Sequence, residues 1–386
     1  MTRSYPILTL LSTLYVSQVL TNSFLTNFVE TPSLSTDKKV ITLEKNNLGY
    51  SAKVQFMNIG NLPTGADLKM QLALYTRETW VVEENLQQLL GLTPGQYKGS
   101  SNEKTTIKTP YDIIQGVYSN MPVILDTENW KTKGVFIAQG RTRKLSQFNC
   151  GIFGYGLLGM GKSLTANAAQ DSGKSASNFA IYKDKKSSDF KLEFNADIPS
   201  DKLLQSLVIK SNDNWAMSVS EVKLADDVIN GEPPVTKVIF DLNDETIGLP
   251  KPYYDEIVNR LTKLYGLTCT MFKEPYRVSC KISHGKRPKL ESMPNINIQL
   301  GSIQKIIVTP KMYIDYSPEA SDELILNLRS LESDKSYQKM FVLEDYSNYI
   351  ILGSKYLEDH LTIFNLDGYN IHIFDQKTIS LQKFTN

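Results

Sequence analysis

Gly156-Leu157-Leu158-Gly159-Met160-Gly161-Lys162-Ser163 satisfies each fixed position of the phosphate-loop pattern Gly-x-x-x-x-Gly-Lys-Ser/Thr. In such a loop, backbone amides cradle phosphate oxygens, the lysine reaches the β/γ phosphates and the hydroxyl holds magnesium. Val238-Ile239-Phe240-Asp241 has the form of the accompanying strand with a metal-binding acid at its end. The loop works only between a buried strand and a helix. Here the preceding run, Cys150-Gly151-Ile152-Phe153-Gly154-Tyr155, is broken by glycine, whereas a buried parallel strand requires a continuous apolar run. A nucleotide-binding module through Gly156–Ser163 is therefore kept only as the last of three readings. The three histidines, His284, His360 and His372, share no ligand spacing, so neither a metal site nor a cofactor is expected. Cys269 and Cys280 flank ten residues in a segment able to fold as a hairpin, where an oxidising compartment would let them join. Cys150, beside an apolar run, reads as a buried inert thiol.

The elements that must position these groups are mostly strands. The chain has 386 residues, of which 20 are Tyr and 15 Phe, a composition that favours β structure. Its 42 basic and 41 acidic side chains nearly cancel, which leaves no field to hold nucleic acid or an anionic membrane. The length suits two domains or one large bilobal unit. Alternating apolar residues predict strands at 38–43, 50–56, 68–74, 134–138, 190–194, 216–222 and 305–308. The polar stretch 162–188 reads as a loop or weak helices. One helix follows Pro250, with Tyr254, Ile257, Val258, Leu261 and Leu264 on one face and Gly266 at its end. Strands and helices do not alternate steadily, so a doubly wound sheet is disfavoured and the class is all-β, mainly strands with few short helices. Ser4 to Val29 carries no charge, and Tyr5–Val16 within it has the layout of a signal-peptide core. The expectation is a signal peptide over 1–22, then a short propeptide or N-terminal strand over 23–43. With the leader removed no membrane span remains. The destination is the secretory pathway, extracellular or vacuolar/lysosomal.

Several further segments occur in a telling order. Tyr50 to Gly60 gives a strand and an Ile-Gly turn; Gly151-Ile152-Phe153-Gly154-Tyr155-Gly156 gives a glycine-spaced apolar run. Asn214-Trp215-Ala216-Met217-Ser218-Val219 is a Trp-led strand, and Val238-Ile239-Phe240-Asp241 through Leu249-Pro250 leads into the helix. Pro294–Ile298 and Pro310–Ile314 follow as later strands. Ile350-Ile351-Leu352-Gly353-Ser354-Lys355-Tyr356-Leu357 and Leu361–Asn365 close the series. In this order, from Tyr50 to Asn365, they resemble the pepsin-like aspartic peptidases, bilobal proteins with one catalytic Asp in each lobe. The resemblance implies an acid-protease fold with a cleft between two β-barrel-like lobes, here 44–208 and 209–386. It also assigns Cys269 and Cys280 to a second-lobe disulfide that many members carry.

That family's chemistry needs two carboxylates sharing one proton around a water, one acting as base while the other donates to the substrate carbonyl. Each sits in an Asp-Thr-Gly turn. By resemblance Asp241 is the second-lobe acid, but its turn reads Asp241-Leu242-Asn243-Asp244, without the hydroxyl and with Asn in place of glycine. Asn tolerates positive φ, so an altered turn is still open to it. In the first lobe, counting back from Trp80 puts Ala73 at the Asp position, and a two-residue deletion puts Tyr75 there; neither has a carboxyl group. Glu78 or Asp126 would have to supply the partner, although Asp126 falls after the flap segment and reads as an exposed strand end. Tyr111 is assigned to the flap, in a hairpin shorter than the family's. Loss of one general acid or base alone costs roughly 10²–10⁴ in rate. The expected protein is thus a secreted, monomeric pseudoenzyme that binds a peptide or protein ligand in the interlobe cleft. The alternative is an active aspartic endopeptidase using Asp241 with a non-standard partner.

Overall fold

A computed structural model describes residues 38–46, 49–56, 68–75, 79–82, 104–109, 111, 113–119, 123–125, 135–141, 156–159, 177–187, 189–199, 203–209, 215–271, 278–283, 287–317, 322–331, 347–366 and 368–375. The chain opens with β1 (Lys39–Asn46), β2 (Gly49–Phe56), β3 (Leu68–Ala73) and β4 (Trp80–Val82). A hairpin follows, β5 (Thr105–Lys108) and β6 (Ile113–Ser119), then β7 (Val123–Leu125), β8 (Val135–Arg141) and β9 (Gly156–Gly159). Next come β10 (Asn178–Lys183), β11 (Phe190–Phe194), β12 (Leu203–Val208), β13 (Met217–Ser218), β14 (Glu221–Leu224) and β15 (Asp227–Val228). Two strands, β16 (Lys237–Phe240) and β17 (Ile247–Pro250), lead into helix α1 (Lys251–Tyr265). Beyond it lie β18 (Leu267–Met271), β19 (Val278–Ile282), β20 (Ile296–Leu300), β21 (Gln304–Val308) and the helical turn α2 (Pro310–Tyr313). The last elements are β22 (Ile314–Tyr316), β23 (Glu323–Leu326), β24 (Leu328–Leu331), β25 (Tyr349–Leu352), α3 (Ser354–Leu357), β26 (His360–Asn365) and β27 (Asn370–Asp375).

The protein is therefore mainly β. Its strands form one large sheet and three smaller ones, and among the described residues these run as open paths rather than as the closed β-barrel-like lobes the resemblance implies. The large sheet runs β12-β27-β26-β10-β11-β1-β2-β3-β9-β4-β8-β6-β5, with β7 beside β2. Strands from both ends of the chain meet in it: Ile41 lies opposite Leu192, and Phe179 opposite Phe364. Residues 39–43 thus belong to a strand whose Ile41 and Leu43 are buried in the core. The sequence-based boundary after 208 does not separate the strands either, because β26 and β27 join β10 and β12.

One pairing scheme occurs twice. In the first half β3 runs parallel to β9, β9 antiparallel to β4, and β4 parallel to β8. In the second half β16 runs parallel to β25, β25 antiparallel to β17, and β17 parallel to β24. The strands concerned fall in the same chain order in each half. Between the halves, Phe179, Trp215, Phe240 and Phe364 pack together, with Phe179 and Phe364 stacked at 4.7 Å between ring centroids. Aromatic packing of this kind adds to the large apolar area these rings bury.

Two sequence expectations need correcting. The stretch 162–188 contains β10, whose Phe179-Ala180-Ile181-Tyr182 is buried on both faces and so lacks the alternation that marks a half-exposed strand. Pro310–Tyr313 is a helical turn, not a strand; proline at the first helical position suits that geometry. The hairpin predicted around the cysteines forms, with Cys269 directly opposite Cys280 and the two sulfurs bonded. Among the described residues, no helix is long and apolar enough to cross a membrane.

Candidate functional site

Asp241 follows the last residue of β16, a strand whose Val238, Ile239 and Phe240 are all buried. Its backbone amide donates to the Leu352 carbonyl at 3.0 Å, which fixes the start of the turn against the end of β25. The turn then closes on itself: the Asn243 amide donates to Asp241 Oδ1 at 3.0 Å. The other carboxylate oxygen, Oδ2, accepts a hydrogen bond of 2.5 Å from the Tyr111 hydroxyl. Both oxygens are thereby engaged, and Asp241 is only 3% exposed. Burial foremost, and the nearby Asp244 charge next, push the Asp241 carboxyl up to about 6, against the donors Tyr111 and Asn243 and the Arg329 charge, which favour ionisation. The Tyr111 hydroxyl is itself held well above its ordinary range by burial and by the Asp241 charge beside it.

Tyr111 itself belongs to a buried apolar cluster. Ala73, Tyr75, Tyr111, Ile114, Ile239, Leu331 and Ile351 belong to one buried cluster, and the Tyr75 ring meets Tyr111 edge-on at 5.1 Å. Asp244 faces elsewhere. Its Oδ2 accepts from Arg329 Nε at 2.7 Å and pairs with Arg329 Nη2 at 2.5 Å, while Oδ1 accepts from the Thr246 amide and hydroxyl. Asn243 reaches the first half: its Nδ2 donates to the Leu72 carbonyl at 2.5 Å, and its Oδ1 accepts from the Tyr50 amide at 2.9 Å. Gly49, at φ 130°, leaves room for that carboxamide, which a Cβ there would overlap.

The repeated pairing scheme fixes which first-half residue corresponds to Asp241. Phe240 lies opposite Leu352, so the next step sets Asp241 beside Gly353; in the other copy Ala73 lies opposite Gly159. The antiparallel strands agree. Trp80 pairs with Leu157, two residues before Gly159, and Gly248 with Ile351, two residues before Gly353. Trp80 lies seven positions after Ala73, as Gly248 lies seven positions after Asp241. By this register the corresponding residue is Ala73 rather than Tyr75. The strand next to it is Gly156–Gly159; of the glycine-spaced segment identified from sequence, 151–156, only Gly156 falls in it, and 151–155 lie outside the described residues.

Other sequence assignments fare differently. Tyr111, assigned to a flap from sequence, lies in the bend between β5 and β6, and its hydroxyl donates to Asp241. Gly156–Gly159 is a paired strand, an extended form in which its amides cannot wrap a phosphate; Lys162 and Ser163 lie outside the described residues. So do Glu78, Asp126, Cys150 and His284. Arg329 gave no sequence signal, being 85 positions from the acid it pairs with. Among the described residues, no group of three His, Cys, Asp or Glu side chains is placed to hold a metal ion. A surface cavity of about 520 Å³ lies between β14–β15 and the start of α1, lined by Val222, Ile229, Gly231, Val235 and Tyr253; Asp241 is not part of it.

The buried Asp241 carboxyl thus has one oxygen on the Tyr111 hydroxyl and the other on the Asn243 amide. Compared with known protein families and with characterised proteins, the sequence has no match.

Proposed function

We propose that this chain is a pepsin-like aspartic peptidase homologue without peptidase activity, routed through the secretory pathway and acting by binding a peptide or protein between its two halves. The observation that carries the reading is the duplicated strand pairing with Ala73 at the step that Asp241 holds in the other copy. A duplicated scaffold with one acid in two equivalent places is what remains when a shared-proton pair loses a member. Ala73 supplies no carboxyl group to share a proton with Asp241, whose two oxygens accept from the Tyr111 hydroxyl and the Asn243 amide. The Cys269–Cys280 bond is compatible with an oxidising compartment.

The test is incubation of the purified protein with a denatured protein substrate across acidic pH. No cleavage above background is expected. Cleavage that disappears in Asp241→Ala would reinstate the active endopeptidase.

A further inference from the structure

Tyr111 stands at the bend of the β5–β6 hairpin, and β5 is the outermost strand of the large sheet, with Thr105, Thr106 and Lys108 exposed. An edge hairpin held on one side only is an element that can open without unfolding the rest. Its tyrosine, 8% exposed, fills a pocket that discriminates. Ala73, Ile114, Ile239, Leu331 and Ile351 share its buried apolar cluster, Tyr75 meets the ring edge-on, and Asp241 accepts the hydroxyl. The acceptor is pre-set, because the Asn243 amide holds its other oxygen. A benzyl group would leave the Asp241 oxygen without its donor, and leaving a buried polar group unpaired is the most effective means of rejecting a near-isostere. An anionic group in place of the phenol would set a second acceptor against the Asp241 carboxyl.

We propose that the pocket over Asp241 is a binding site for a para-hydroxyphenyl group, occupied in cis by Tyr111 and available to a tyrosine side chain of a partner when the β5–β6 hairpin lifts. The proposal deepens the binding function above by naming the group bound, and it fails separately from it: an inactive protein can lack this site, and the site's measurement involves no proteolysis.

The experiment vacates the pocket with Tyr111→Ala in the full chain and titrates p-cresol against toluene by calorimetry and thermal shift. The variant should bind p-cresol at least tenfold more tightly than toluene, and the wild type should bind neither. N-acetyltyrosine amide should displace p-cresol; failure to do so overturns the partner half of the proposal. A folded variant that binds p-cresol no better than toluene overturns the site itself. Should Tyr111→Ala not fold, Tyr111→Phe decides by hydrogen exchange. Without the hydroxyl, the amides of 113–119 should exchange about tenfold faster or more, the usual consequence of losing a bond to a charged group, and unchanged exchange overturns the proposal.

Discussion

Asn243 uses one carboxamide to satisfy backbone groups on two strands, the Tyr50 amide on β2 and the Leu72 carbonyl on β3. Asn243→Ala strands both, and an orphaned backbone group in a part-buried setting costs about 1–3 kcal/mol. Urea unfolding should show a loss in that range; a loss under about 0.5 kcal/mol would show that the amide ties nothing. Asp241 carries the pH dependence. Its carboxyl is raised from 3.8 to about 6, chiefly by burial. A group that holds its proton more tightly folded than unfolded stabilises the fold while protonated. Its contribution is full below about 3.8 and lost as pH rises through about 6, amounting to about 3 kcal/mol. Wild-type stability should therefore fall from pH 4 to pH 7 relative to Asp241→Asn, which lacks the titration. Parallel curves would mean that the carboxyl is solvated in solution.

At the scale of elements, the Asp244–Arg329 pair joins β24 to the turn between β16 and β17, with Arg329 5% exposed. Taking away the cation leaves a buried carboxylate with only Thr246 as donor among the described residues. Arg329→Leu should cost about 3–5 kcal/mol, and Asp244→Leu in the same chain should restore most of it, since removing both charges relieves the desolvation that removing one exposes. A double variant no better than the single would place the cost in packing. How far these elements can be read from sequence follows from the range of the forces that set them. α1, the cysteine hairpin and the Leu352-Gly353 end of β25 are legible because periodicity and glycine act locally; at Gly353 a Cβ would overlap the carbonyl oxygens of Asp244 and Thr246. β10 escapes because full burial erases alternation. Arg329 and the Tyr111 contact escape because their partners lie 85 and 130 positions away, and nothing in either neighbourhood encodes the pairing.

For the whole molecule, the question is whether its halves are separate folding units. Sequence order suggests a cut near residue 208, and the doubled strand pairing makes each half look self-sufficient. The large sheet argues the reverse. β10 pairs with β26 along Asn178–Ile181, and β12 pairs with β27, so a fragment ending at 209 loses a partner on two strands. Phe179 also loses the stacked Phe364 ring, and Leu207 the buried β27 register beside Ile371. An unpaired, apolar strand edge invites aggregation. Residues 38–209 alone should therefore give no sharp thermal transition by circular dichroism, whereas mixing with 210–386 should restore one. A fragment that melts cooperatively by itself would mean that the shared sheet is a docking surface between two finished domains. Its absence would mean that the core, and with it the pocket over Asp241, forms only when both ends of the chain have met.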